Sequence, residues 1–376
     1  MSHANNLVSL GKWAPGALYA PAPAGAARER FKVYRPELLE PGYRAVMGWD
    51  GQQHVVWLFD EHGQELHAWP LEYSAIDPEG EIDPRFPHGS PHGLEILEDG
   101  AILVNFEGGA LLARLDACGQ RIWSKKGAYH HVISRAGDGN FWTWRGGDHF
   151  RTPQQFLVKF DAKTGNILEE YSLIDDFIKR SEGAAIVFGA SDGYDFDASS
   201  DDLFHPNDIE ELTAPMSSFF RDFGPGDLLI SLRNLHLVAV LDPVSRSIKW
   251  WRHGPWRYQH DPDFTPTGEI LVYNNNSNRG NSNILAVNPQ SSSVRVHSSS
   301  KTVRFYTHWR GKQQLLPNGS LLIVIPGEGR MLEVAPSGEL VLEFNNVAST
   351  VANASVDNAI WLPRSYFKKM PSCVQH

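Results

Sequence analysis

Cysteine is scarce in this chain: Cys118 and Cys373 are the two among 376 residues. That is too few for the disulfide framework that staples small secreted domains, and reduced cytosolic thiols fit the count. Positive charge is short as well. Lys and Arg number 34 against 44 Asp and Glu, a net charge of −10 without any basic run. Nucleic acid is therefore not an expected partner. No apolar run reaches the roughly 18 residues that a membrane-crossing helix needs, so no membrane span is expected. Residues 1–31 lack a charged start followed by an apolar core. The expectation is a cytoplasmic protein, or a periplasmic one if a leader has been removed. Long helical periodicity is nearly missing too, and Ser172 to Arg180 reads as one short helix.

What the chain has is a repeat. His92-Gly-Leu-Glu-Ile-Leu-Glu-Asp-Gly100 is followed by His131-Val-Ile-Ser-Arg-Ala-Gly-Asp-Gly139 and His260-Asp-Pro-Asp-Phe-Thr-Pro-Thr-Gly268, each running from His to a turn Gly at the same offset. Gly311 to Gly319 keeps that offset with Gly in the His slot. Short β-rich runs split by Gly, Asp and Asn turns follow each opening, such as Leu228-Leu-Ile-Ser-Leu232, Leu237-Val-Ala-Val-Leu-Asp242 and Ile248-Lys-Trp250. About four such segments in a unit of roughly 40 residues describe a β-propeller blade.

Five units open near residues 92, 131, 205, 260 and 308. Before them stands a half unit, Val55 to Trp69, holding the last two strands of a blade. Its inner strands would come from Ala359-Ile-Trp-Leu362, which would close the ring through the chain ends, or from Tyr43 to Gly48. The expected fold is all-β: a six-bladed propeller of four antiparallel strands per blade, with a seventh blade only if the first 50 residues contribute more. Residues 1–40 read as an extended arm and 41–376 as a single propeller domain. Aromatics at 11%, twelve of them Trp, suit packing between blades.

The inner strand of a propeller blade runs beside the central channel, and its first residues sit near one mouth. His92, His131 and His260 share that register, and strand alternation favours His131 over His130 as the channel-facing member. His205 opens His205-Pro-Asn-Asp-Ile-Glu210, and Asn207, two residues on, is expected on its face. His308 is expected at the rim. Arg233 follows an apolar strand where a charge is hard to place. An arginine beside several imidazoles makes a cationic pocket suited to sulfate, phosphate or carboxylate. Crowded imidazoles otherwise raise desolvation and mutual repulsion. Two polar loops stand apart. Asp192, Asp195, Asp197, Asp201 and Asp202 miss the Ca²⁺-loop spacing and read as a solvated acidic loop. Asn274 to Asn283 reads as a turn at the rim or at the opposite end.

In these stretches the chain resembles the aryl-sulfate sulfotransferase-like propellers: His131-Val-Ile, His205-Pro-Asn-Asp-Ile-Glu-Glu-Leu, Leu228 to Arg233, Ile248-Lys-Trp-Trp-Arg-His-Gly254, Gln259-His260-Asp261 and Gln314 to Ile323. The entry around Gly42 to Met47 and Gly63 to Pro70 is also similar. The resemblance spans roughly residues 40 to 345. It implies transfer of a sulfuryl group from an aryl sulfate to a phenol without a nucleotide donor. His260 would be the nucleophile and would carry a sulfohistidine. His131, His205 and Arg233 would hold the sulfuryl oxygens. His92, Asn207 and His308 would bind substrate. No cofactor and no metal are expected, and the partners would be small aryl sulfates and phenols. Classical members are exported and often carry a paired-cysteine element; this chain shows neither an export signal nor a close pair, and Asp208 stands where Ser is usual. A His-ligated metal-dependent lyase or oxygenase, and a non-catalytic binding propeller, remain the alternatives.

Overall fold

The computed structural model describes residues 18–180, 202–298 and 304–373. Among these, six antiparallel sheets of four or five strands form the blades of a propeller. Blades 2 to 6 run in chain order, with inner strands Pro91–Ile96, Tyr129–Arg135, Pro206–Glu211, His260–Phe264 and Lys312–Leu315. Blade 1 combines both chain ends. Its inner strand is Val356–Leu362, and Tyr43–Trp49, His54–Phe59 and Glu65–Leu71 follow outward. The two segments that competed for the missing half unit therefore both enter it, side by side.

The second strands explain why the ring holds. Ile102–Phe106, Leu228–Leu232, Ile270–Asn274 and Leu321–Ile325 are apolar nearly throughout, because each blade is covered on both faces. Alternation then divides the residues between neighbours. In blade 5, Ile270 and Val272 pack against blade 4, while Leu271 and Tyr273 pack against blade 6. Six such clusters, one per blade junction, make up the core.

The amino-terminal segment is paired where it is described. Tyr19–Pro21 joins Ala352–Ala354, and Phe31–Val33 adds a fifth strand to blade 6. The expected short helix is a single π-helical turn, Leu173–Ile178, capped by the Ser172 hydroxyl accepting from the Asp175 N–H. The cysteine reading needs correction. Cys118 and Cys373 form a disulfide across 255 residues of sequence, so the two are a structural pair rather than free thiols. It ties the carboxy-terminal tail to an outer turn of blade 2, and Pro371 of that tail lies against the Gly100 turn. Of the acidic loop, Asp192, Asp195, Asp197 and Asp201 lie outside the described residues.

Candidate active site

The inner strands do not enter the sheets in plain register. Those of blades 1 to 5 each shift close to their start, between Val356 and Asn358, Pro91 and Leu94, His130 and Ile133, Pro206 and Asp208, and His260 and Asp263. Such a bulge bends the strand and re-aims a side chain. His131 and His205 sit there at positive φ, 60° and 44°, a conformation that costs a non-glycine residue about 1–3 kcal/mol. The backbone is strained where two of the candidate residues stand.

A cavity of about 280 Å³ opens at this mouth, with His92, His131, His205, Arg233 and His260 on its wall. Asn207 and His308 are not part of that wall. The Asn207 amide turns away and donates to the Gln259 carbonyl at 2.8 Å, because the strand shift between Pro206 and Asp208 breaks the alternation that would have aligned it with His205. His308 is exposed, with its carbonyl taken by the Ser277 hydroxyl. Sequence reasoning missed Phe86, Glu107, Phe150, Arg151, Trp309 and Arg310, which complete the wall together with Asp202.

Hydrogen bonds fix the protons on most of the imidazoles. The Asn275 amide donates to the carbonyls of Arg310 at 2.7 Å and Thr307 at 3.2 Å, so its Oδ1 faces His260 Nδ1, 2.7 Å away. The Tyr258 carbonyl is the other neighbour of that nitrogen, at 3.1 Å. Both are acceptors, so Nδ1 carries the hydrogen and Nε2 keeps its lone pair. Burial, with Arg233 nearby, holds the His260 pKa well below its usual value, so the ring is neutral at pH 7.

A second chain runs through blade 3. Gln155 donates its amide to the carbonyls of Phe150 and Thr152, which leaves its Oε1 to accept from His130 Nε2 at 2.9 Å. His130, buried and with its pKa pushed down to about 4 by that burial, thus offers a lone pair at Nδ1. His131 Nδ1 lies 2.7 Å from it and 3.0 Å from Glu107 Oε1, two acceptors, so it bears hydrogen. His205 Nδ1 likewise donates to Asp202, 2.5 Å away. The two Nε2 atoms then face one another at 3.2 Å. A hydrogen bond between them needs one proton more than the neutral rings supply.

Three guanidinium groups and two carboxylates carry the charge of the wall. Arg233 is half-buried over the Tyr258 ring at 4.4 Å and bonds the Asn234 side chain, and desolvation lowers its pKa only to about 10. Arg310 is committed to Asp357 at 2.6 Å and to the Ser90 hydroxyl at 2.9 Å. Glu107 receives His92 Nδ1 at 2.6 Å, and its pKa is held far below the usual carboxylate range against burial by His92 and Arg310. The ligand atoms of His92, Glu107 and His131 lie within 4.8 Å of one another, close enough to hold a metal ion.

The fold is a six-bladed β-propeller whose channel mouth gathers imidazoles and guanidinium groups around a small cavity. The chain is, specifically, a member of the arylsulfotransferase (ASST) family, whose family model matches residues 93–347. No curated protein matches it. Among solved structures, a protein of unknown function from Bacteroides caccae superposes with a TM-score of 0.54 at 14% identity, covering 84% of this chain and 99% of that one. TolB from Acinetobacter baumannii gives 0.51 at 11% identity, with 86% and 67% covered. At such identities these two speak for the fold alone.

Proposed function

We propose that the protein transfers a sulfuryl group from an aryl sulfate to a phenolic acceptor through His260. The observation that carries this reading is the Asn275–His260 hydrogen bond, which leaves a neutral imidazole with its Nε2 lone pair beside Arg233. In the first step Nε2 bonds to sulfur and the sulfur–oxygen bond to the aryl group breaks. The phenolate oxygen leaves with the electron pair and takes a proton from water. Arg233 faces the sulfuryl oxygens with fixed donors in a largely buried site. In the second step an acceptor phenol gives its proton to a free Nε2 of His131 or His205, its oxygen bonds to sulfur, the Nε2–sulfur bond of His260 breaks, and the proton passes on to water. Proton and sulfuryl inventories balance over the cycle.

The test uses metal-stripped protein and 4-nitrophenyl sulfate, with and without a phenol. Acceptor-dependent nitrophenolate release is expected, with a sulfuryl-mass adduct on the peptide bearing His260. Replacing the nucleophile, His260→Asn, is expected to reduce turnover by at least about a thousandfold without loss of folded signal. Undiminished turnover in that variant refutes the role of His260.

One observation favours a second reading, metal chemistry at His92, Glu107 and His131. Arg310, with its Nη2 3.7 Å from Glu107 Oε2, opposes a cation there. Stoichiometric Fe, Mn or Zn in the purified protein, with release abolished by stripping, would select this reading. The disulfide bears on location: paired cysteines persist in oxidising compartments, so we assign the protein to the periplasm or beyond.

A further inference from the structure

The cavity carries more donors than a sulfuryl group uses. Arg233 stands with His131, His205 and His260, and Arg310 is paired with Asp357. Arg151 is the surplus. Its guanidinium lies over Phe150 at 5.2 Å and Phe86 at 5.4 Å, two rings that meet edge to face on the same wall. Among the described residues the Arg151 side chain has no hydrogen-bond or ion-pair partner, and its Nε is buried with none. Trp309 Nε1, on the wall of the same cavity, is buried without a partner as well. Arginine and indole nitrogens only donate, so each is satisfied by an acceptor; Asp202, whose charge reaches Arg151, is bonded to His205, so a further negative group suits this guanidinium. The aromatic rings beside it form a face for an aryl ring.

Resting on the sulfuryl-transfer reading, we propose that the preferred donor is an aryl sulfate bearing a second anionic substituent, a carboxylate, held by Arg151 and Trp309 at the far side of the ring from the ester. The sulfate end faces His260 and Arg233, and the carboxylate end faces the guanidinium on Phe86 and Phe150. A neutral ring of the same size leaves both donors buried and unmatched.

The test compares 4-carboxyphenyl sulfate with its isosteric amide, 4-carbamoylphenyl sulfate. The expected kcat/KM preference for the acid is about ten- to a hundredfold, the worth of one charge-assisted hydrogen bond. It is carried mainly in KM. In Arg151→Gln the ratio of the two substrates collapses towards one, and Arg151→Lys restores part of it. Equal kcat/KM for acid and amide in the unaltered protein overturns the proposal even though sulfuryl transfer stands. With neither ester consumed, the transfer reading fails on its own, and calorimetry then decides the subsite. Binding of 4-hydroxybenzoate at least about tenfold tighter than of 4-hydroxybenzamide keeps it, and equal binding overturns it.

Discussion

At the scale of single residues, the amide of Asn275 decides which nitrogen of His260 is available. The Asn274–Asn283 run offered no reason to single it out, yet three of its four hydrogen-bonding positions are used, two by buried carbonyls and one by the imidazole. Asn275→Leu keeps the volume and removes all three bonds. The Nδ1 hydrogen then has the Tyr258 carbonyl alone, and the ring is free to take its other tautomer. A buried hydrogen bond lost on one side costs about 1–3 kcal/mol, or about ten- to a hundredfold in rate if it falls on the transition state. The expected result is that loss in the rate of His260 sulfation in a single turnover. The imidazole ¹⁵N resonances of the resting protein should shift towards the Nε2–H form. An unchanged rate with unchanged resonances would show that Asn275 does not set the tautomer.

At the scale of elements, the shift at each inner-strand start has a counterpart one strand outward. The residue directly after the second strand is Glu107 in blade 2, Arg233 in blade 4 and Asn275 in blade 5. Glu107 and Asn275 bond the histidine that opens their own blade, and Arg233 shares the cavity wall with His205. The repeat thus carries two columns of residues at the channel mouth; the sequence displayed the first, and of the second only Arg233. His92, His131 and His260 were legible because a fixed offset to a turn glycine marks them. The second column has no common residue type, so only strand ends in space align it. Blade 3 shows the same limit: nothing at Gln155 announces that it orders His130 and through it His131. The wall from Phe86, Phe150 and Trp309 comes from loops, where period and offset carry no information.

Ring closure makes its own demand on an element. Gly48 is the penultimate residue of the second strand of blade 1, and a Cβ there would stand 2.3 Å from the Ser355 carbonyl, just before the carboxy-terminal strand that closes the ring. The neighbour is backbone pinned between paired strands, so it cannot yield cheaply. Gly48→Ala should destabilise by about 1–3 kcal/mol, the usual cost of overpacking, read as a lower urea midpoint at unchanged slope. A midpoint equal to the parent's would mean that the closing strand is loosely held.

At the scale of the whole molecule, the two ends of the channel have opposite titration behaviour. At the mouth, burial pushes the imidazoles of His130 and, elsewhere in the propeller, His54 down to about 4, with His131 and His260 also well below the usual value. The unfolded chain binds protons at these groups up to about pH 6.5, so their contribution to stability rises with pH and is complete there. In another cavity, lined by residues from several inner strands, Asp208, Glu210, Asp261 and Asp263 crowd around Lys312. Lys312 bonds Asp208 at 3.1 Å and also Asp261. Burial pushes Asp208 up to about 7 and Glu210 up to about 8, and raises Asp263 well above its ordinary value. A carboxyl whose folded pKa is raised contributes stability that is whole below its unfolded pKa and lost as pH rises through the folded one. Below about pH 6.5 the two effects oppose each other; above it the imidazoles are neutral in both states and the carboxyls act alone. Stability should therefore peak near neutrality on the acid side and fall between about pH 6.5 and 8.5. Urea midpoints at the two pH values measure the fall, and Glu210→Gln should flatten it by removing one of the protons taken up. A midpoint that rises across that window, or a slope unaltered by the substitution, would mean that the carboxyls are ionised in the folded protein and that Lys312 compensates them in full.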